Sequence, residues 1–238
     1  MILLAPALLT ACSLDSPSQS TGDSSNISIV TYNFLYTGGS ESSITMNAIY
    51  DRPHVGEITT VLHDTLVYGA SHQITLKQVS NSYGYSNIKF ELRDTNSNLP
   101  LASEQKTIFS HQTEKIVIAY TDITESSPEY AFAFINKPSS RPNLISSPLY
   151  IINLLGEGDA NIFIDNMLFQ SYFSKFNLSN QYSVALSSPL SEVSIKNLNN
   201  INLATCDLSN TSFNGKQSLI IFARKSSGSS GCYLYQYK

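Results

Sequence analysis

The feature that most constrains this chain is a hydrophobic period of two. ITMNAI (44–49), NIFIDN (161–166), QYSVAL (181–186), EVSIKN (192–197) and YLYQY (233–237) alternate apolar and polar residues. Successive side chains of a strand point to opposite faces, so such runs fit a half-buried pleated sheet. Ile, Val, Tyr, Phe and Thr, which suit that surface, are common in them. Turn signals separate the runs, at Gly38-Gly39, Asn81-Ser82, Asn96-Ser97-Asn98, Gly156, Asn199-Asn200 and Asn214-Gly215. No stretch carries the i, i+3, i+4 stripe of a long amphipathic helix. The chain reads as all-β.

It also repeats itself once. LVYGASHQITL (66–76) and FNLSNQYSVAL (176–186) place apolar residues alike, and both end in alternation. Phe109 with Ile116-Val117-Ile118-Ala119 matches Phe213 with Ile220-Ile221-Phe222-Ala223 at the same internal spacing. Each copy opens alike, with VTYNFLY and LYIINLL, and closes alike, with YAFAFI and CYLYQY. The repeat predicts two modules, at 27–137 and 147–238, with a Pro- and Ser-rich linker at 138–146. About seven strands in each would make tandem antiparallel β-sandwiches of immunoglobulin-like size. There is no Trp for the core Trp of a variable domain, so only the architecture is expected.

The pattern Asn153-Leu154, DANIFID (159–165), FNLSNQYSVAL, INLAT (201–205) and LIIFA (219–223) resembles the bacterial family catalogued as domain of unknown function 4397. That resemblance implies tandem β-sandwich modules on exported or lipidated proteins. It supplies no catalytic motif.

The N-terminus carries the most specific motif. Met1 to Ala11 reads MILLAPALLTA, an uncharged run too short to span a bilayer. It ends Leu9-Thr10-Ala11-Cys12, which resembles the lipobox of bacterial lipoproteins. The resemblance implies a signal peptide over 1–11, cleavage before Cys12, and a lipid on the Cys12 sulfur. Ser13 in place of Asp implies sorting to the outer membrane. No Lys or Arg precedes the apolar run. SLDSPSQSTGDSSN (13–26) has one apolar residue and is expected to be a disordered tether over 12–26.

Charged residues are only 13%, and the net charge is −4. No basic stripe exists to neutralise phosphates, which argues against nucleic acid as a partner. The remaining cysteines, Cys206 and Cys232, form an even pair that an oxidising compartment would bond. Two buried free thiols are the alternative. All four histidines, His54, His63, His72 and His111, lie in module one, with Asp51, Glu57 and Asp64 near in sequence. None shows HxH or HxxxH spacing, and chance clustering on a solvated face accounts for them. Ser71-His72 lacks the surrounding nucleophile elbow. Gly156-Glu157-Gly158-Asp159 lacks the carboxylate ladder of a calcium loop and reads as a hairpin turn.

No catalytic residue, cofactor or metal ligand is therefore assigned. The expectation is a non-enzymatic lipoprotein of the cell envelope, anchored to the membrane at Cys12. Its sandwiches would meet a protein or glycan partner at strand edges or loops. A glycan binder, motivated by the Tyr-rich C-terminus, is the first alternative. A metal-dependent hydrolase using the module-one histidines is the second.

Overall fold

A computed structural model describes residues 23–35, 44–64, 67–95, 97–112, 114–122, 129–139, 145–155, 158–188, 190–225 and 229–237. The expected signal peptide, Cys12 and residues 13–22 of the expected tether lie outside the described residues.

Module one contains β1 (Ser24–Phe34), β2 (Ile44–Arg52), β3 (Gly56–His63), β4 (Ser71–Ser80), β5 (Tyr85–Asp94), β6 (Pro100–Phe109), β7 (Glu114–Asp122) and β8 (Glu129–Asn136). Module two contains β9 (Ser146–Asn153), β10 (Ala160–Ile164), β11 (Met167–Phe173), β12 (Tyr182–Ala185), β13 (Glu192–Asn197), β14 (Asn202–Asp207), β15 (Ser218–Arg224) and β16 (Ser230–Gln236). Among the described residues the count is eight strands per module rather than about seven. The tether expected from composition reaches three residues too far: Ser24, Ser25 and Asn26 belong to β1, where Ser24 pairs with Ser80.

Each module is two four-stranded sheets, ordered β4-β1-β7-β8 with β3-β2-β5-β6, and β12-β9-β15-β16 with β11-β10-β13-β14. Pairing is antiparallel except for β1 with β7 and β9 with β15. Within each sheet every antiparallel pair joins an odd-numbered strand to an even-numbered one, so odd-numbered strands of one sheet run the same way. Two odd strands set side by side must then be parallel.

Between the sheets of module one, Ile29, Met46, Leu62, Leu76, Ile88, Phe90 and Val117 form a core. Leu149, Ile162, Phe173, Val193, Ile195, Ile220 and Phe222 do the same in module two. A third apolar layer lies between the modules. Val30, Tyr32, Phe34, Ile116, Ile118 and Ile135 meet Tyr150, Ile152, Leu219, Ile221 and Ala223. The molecule is therefore a stack of four sheets, with the central strands β1, β7, β9 and β15 of the two inner sheets buried on both faces, while the edge strands β4 and β12 keep one exposed face. VTYNFL, IVIA, LYIIN and LIIFA are apolar at both parities because each face of these strands packs on something.

One buried residue fixes how the repeats superpose. Asn33 Oδ1 accepts the Leu35 N–H at 3.0 Å, and Asn153 Oδ1 accepts the Leu155 N–H at 2.8 Å. Asn33 is opposite Ala119, and Asn153 opposite Phe222. Ile116 to Ala119 thus correspond to Leu219 to Phe222, one residue earlier than the sequence match gives. A slip of one flips every side chain to the other face, so the match had set interface residues against core residues. The other repeat segment slips by two, which preserves the face: Ile74 and Leu76 match Tyr182 and Val184 through their pairing with β1 and β9.

The shared layer generates a prediction. Ile221→Ala leaves a cavity between the modules and should cost about 2–5 kcal/mol. Calorimetry should show one transition in the parent chain and two in Ile221→Asp, which buries a charge in the same layer.

Candidate functional site

The outer sheet of module two ends in an open strand. β11 pairs with β10 on one side only. Its Met167, Leu168 and Tyr172 are 69%, 57% and 70% exposed. Edge strands are commonly blunted by Lys or Pro, but MLFQSYF carries neither. Two register shifts in the pairing with β10 bend it instead.

The turn feeding β11 is Asp165-Asn166, with φ of 45° and 63°. Two-residue hairpins favour such angles, and Asp and Asn tolerate them. Asp165 Oδ1 accepts the N–H groups of Ser191 (2.9 Å) and Glu192 (3.0 Å), which ties the turn to the start of β13. Beside it opens a cleft of about 350 Å³ lined by Asp165, Asn166, Ser191, Glu192, Asp207 and Ser209. The Ser209 hydroxyl (2.7 Å) and N–H (3.0 Å) both donate to Asp207 Oδ1 and hold its carboxyl below the usual range. An extended peptide could add to the β11 edge by main-chain pairing, with a basic residue drawn to the carboxylates at one end. Sequence reading missed this strand because it does not alternate. The available signal was an Asp-Asn turn directly followed by two apolar residues.

The histidines do not converge as a group of four. His54 lies in the β2–β3 turn and His111 in the β6–β7 turn, at one end of module one. His63 and His72 meet at the other end, with ring centroids 5.4 Å apart. His72 Nδ1 bonds to the Leu62 carbonyl at 2.6 Å. Ser71 precedes His72 on a strand, so their side chains diverge. Among the described residues no three His, Cys, Asp or Glu side chains could hold one metal ion. Of the expected hairpin turn at 156–159, Gly156 and Glu157 lie outside the described residues. Asp159 Oδ1 accepts the Ser174 hydroxyl at 2.7 Å.

The His pair sits at the base of a clasp between modules. The chain leaving His63 reaches Tyr68, which packs edge-on against Phe34 and Tyr233. Gly69 follows with φ +74°, and a Cβ there would stand 3.0 Å from the Tyr233 ring. Tyr235 donates its hydroxyl to the Gly69 carbonyl at 2.7 Å. Tyr32 and Tyr237 bond hydroxyl to hydroxyl. Burial pushes the phenols of Tyr32, Tyr68 and Tyr235 up, and raises Tyr237 to about 12. The C-terminal tyrosines thus lie along the module interface.

Cys206 on β14 and Cys232 on β16 are bonded. They join an edge strand of the outer sheet to an edge strand of the inner one. At the matching edge of module one, Lys106 Nζ lies 5.0 Å over the Phe134 ring.

No family model matches the chain, and no curated protein matches it. Among solved structures, a putative cell adhesion protein from Bacteroides eggerthii aligns with 91% of this chain and 96% of that one, at 8% identity and a TM-score of 0.22. At that score nothing about this chain follows from the likeness.

Two predictions arise. Desolvation by burial, then the charge of His72, lowers the His63 pKa from 6.5 to about 4, against a smaller opposing backbone bond at Thr31. The unfolded chain therefore takes up the proton first, so this contribution is present above pH 6.5 and lost as pH falls towards 4. The melting temperature should drop across that window, and His63→Phe should flatten the drop. Reducing the disulfide should destabilise module two by about 3–4 kcal/mol in the chain-entropy model. Non-reducing peptide mapping should recover Cys206 and Cys232 together.

Proposed function

We propose that this chain is a non-enzymatic lipoprotein of the cell envelope, held at the outer membrane through Cys12. Its stacked sandwiches serve as an interaction module for a protein partner. The observation that carries this reading is the use of both faces of the inner sheets. With those faces packed, contact with a partner falls to the outer sheets, their edges and the end loops. β11 is the open edge with the most exposed large apolar side chains, and the adjoining carboxylates favour a basic extended segment. Membership of the domain of unknown function 4397 family is part of the proposal and rests on the residue pattern of 153–223 alone.

The tyrosines that motivated a glycan reading face module one. The histidines that motivated a hydrolase lie at opposite ends of their module.

Labelled palmitate supplied to a bacterial host should enter the parent chain, with its upstream codons, and not Cys12→Ala. Equal label in both, or an intact Met1 in mass spectrometry, would remove the anchor from this reading. Cross-linking in cells should trap a partner that Met167→Lys with Leu168→Glu loses, while a glycan array stays blank.

A further inference from the structure

We infer that the end of module one nearest the chain's N-terminal exit is a membrane-docking tip that seats in the interfacial layer of a neutral bilayer. The inference rests on the lipid anchor proposed above and adds a second, independent contact to it.

Three turns meet at this end. Strand directions place the β2–β3, β4–β5 and β6–β7 turns together, beside the start of β1. Each turn lifts one apolar side chain into solvent. Val55 is 62% exposed, Tyr83 98% and Phe109 49%. Hydrogen bonds tie the group into one surface. The Asn81 N–H donates to the Asp23 carbonyl at 2.8 Å, and the Ser110 N–H to the Gly84 carbonyl at 2.8 Å. Arg52 bonds Gln78, whose own N–H donates to Asn26 Oδ1 at 3.0 Å. His111 stacks on Phe109 with centroids 5.8 Å apart.

Tyr83 has no structural task to explain it. It occupies a left-handed turn position (φ 54°) followed by Gly84 (φ 84°), where Asn, Asp or Gly is favoured. A bulky ring at such a position is strained and here packs on almost nothing. Tyrosine does fit a bilayer interface, where its ring lies among apolar groups and its hydroxyl meets headgroups and water. Val55 and Phe109 are the apolar companions that would sit beside it.

The occupant follows from where the chain leads. Asp23 opens the described structure at this same end, eleven residue steps from Cys12. They span at most about 36–40 Å. A lipid on Cys12 therefore keeps this end, more than any other, within reach of the membrane at high effective concentration. Charge selects the headgroup. Asp23, Asp51 and Glu57 are exposed here, against Arg52, while Glu114 is paired with Lys137 at 3.5 Å, and module one carries seven basic against eleven acidic residues. Anionic lipid would repel this surface, so the partner is zwitterionic.

The test supplies the anchor chemically, so that it does not depend on natural lipidation. With Cys206 and Cys232 bonded, Cys12 is the free thiol of the full chain. It can be coupled to a maleimide-bearing phospholipid in phosphatidylcholine vesicles. The chain contains no Trp, so Tyr83→Trp introduces a single reporter. Brominated acyl chains should quench that indole. They should not quench the indole of Tyr172→Trp, which is also exposed (70%) on the outer sheet of module two. Adding Val55→Ser and Phe109→Ser should lower the docked fraction about tenfold, the factor for one apolar side chain's burial. Phosphatidylglycerol in the vesicles should weaken quenching. Equal quenching of the Tyr83→Trp and Tyr172→Trp chains would overturn the docking tip, even if palmitate labelling upholds the anchor. Quenching at Tyr83→Trp with no palmitate on Cys12 would uphold the tip and remove the anchor.

Discussion

Val30, Tyr32 and Phe34 face module two, while Ile27, Ile29 and Leu35 on the same segment face the core of module one. This burial on both faces is the constraint on which the rest depends. A sheet with one wet face tolerates polar residues at every second position; the central strands of the inner sheets cannot, although their edge strands β4 and β12 do. Each strand in the middle of the stack must therefore be apolar at both parities, and its few polar groups lose contact with water. Asn33 and Asn153 satisfy their carbonyl oxygens with N–H groups two residues on, while their side-chain amide nitrogens have no partner among the described residues. Screened surface charge contributes little beside such a layer.

The strands with one wet face were the readable part of the sequence. Alternation in 44–49, 161–166 and 192–197 marks β2, β10 and β13, all from outer sheets. The inner strands were seen as apolar runs, yet their second buried face was not inferred, and the modules were set apart on a linker. The same uniformity explains the slip in the repeat. IVIA and LIIFA have no polar residue to fix their phase, so identity of spacing permits several registers. Only backbone pairing at Asn33 and Asn153 decides among them.

The candidate sites were legible to different degrees. The Cys206–Cys232 bond followed from parity of count and compartment, because few other partners exist. The histidines could be counted but not paired, since His63 and His72 meet only when β3 and β4 bring their ends together. β11 was missed because exposed apolar residues leave no periodic trace. The tip at Val55, Tyr83 and Phe109 draws on three separate turns, a set that only the sheet order assembles. What preceded Ser24 was read from motif chemistry alone, and the described structure adds only that β1 starts earlier than composition implied.

The position of β1 has a consequence for how the molecule comes into being. The first strand made is the central strand of its sheet, with β4 on one side and β7 on the other. Ser28 waits for Glu114 before its parallel ladder can close. Long-range closure of that kind is slow, because chain entropy is lost before the contacts repay it. The apolar segment from Val30 to Leu35 thus emerges first and is enclosed last. A chain with this order benefits from being kept extended until synthesis has passed β7, as crossing a membrane unfolded would do. Its topology then sets a timetable in which synthesis of β7 precedes closure of the sheet.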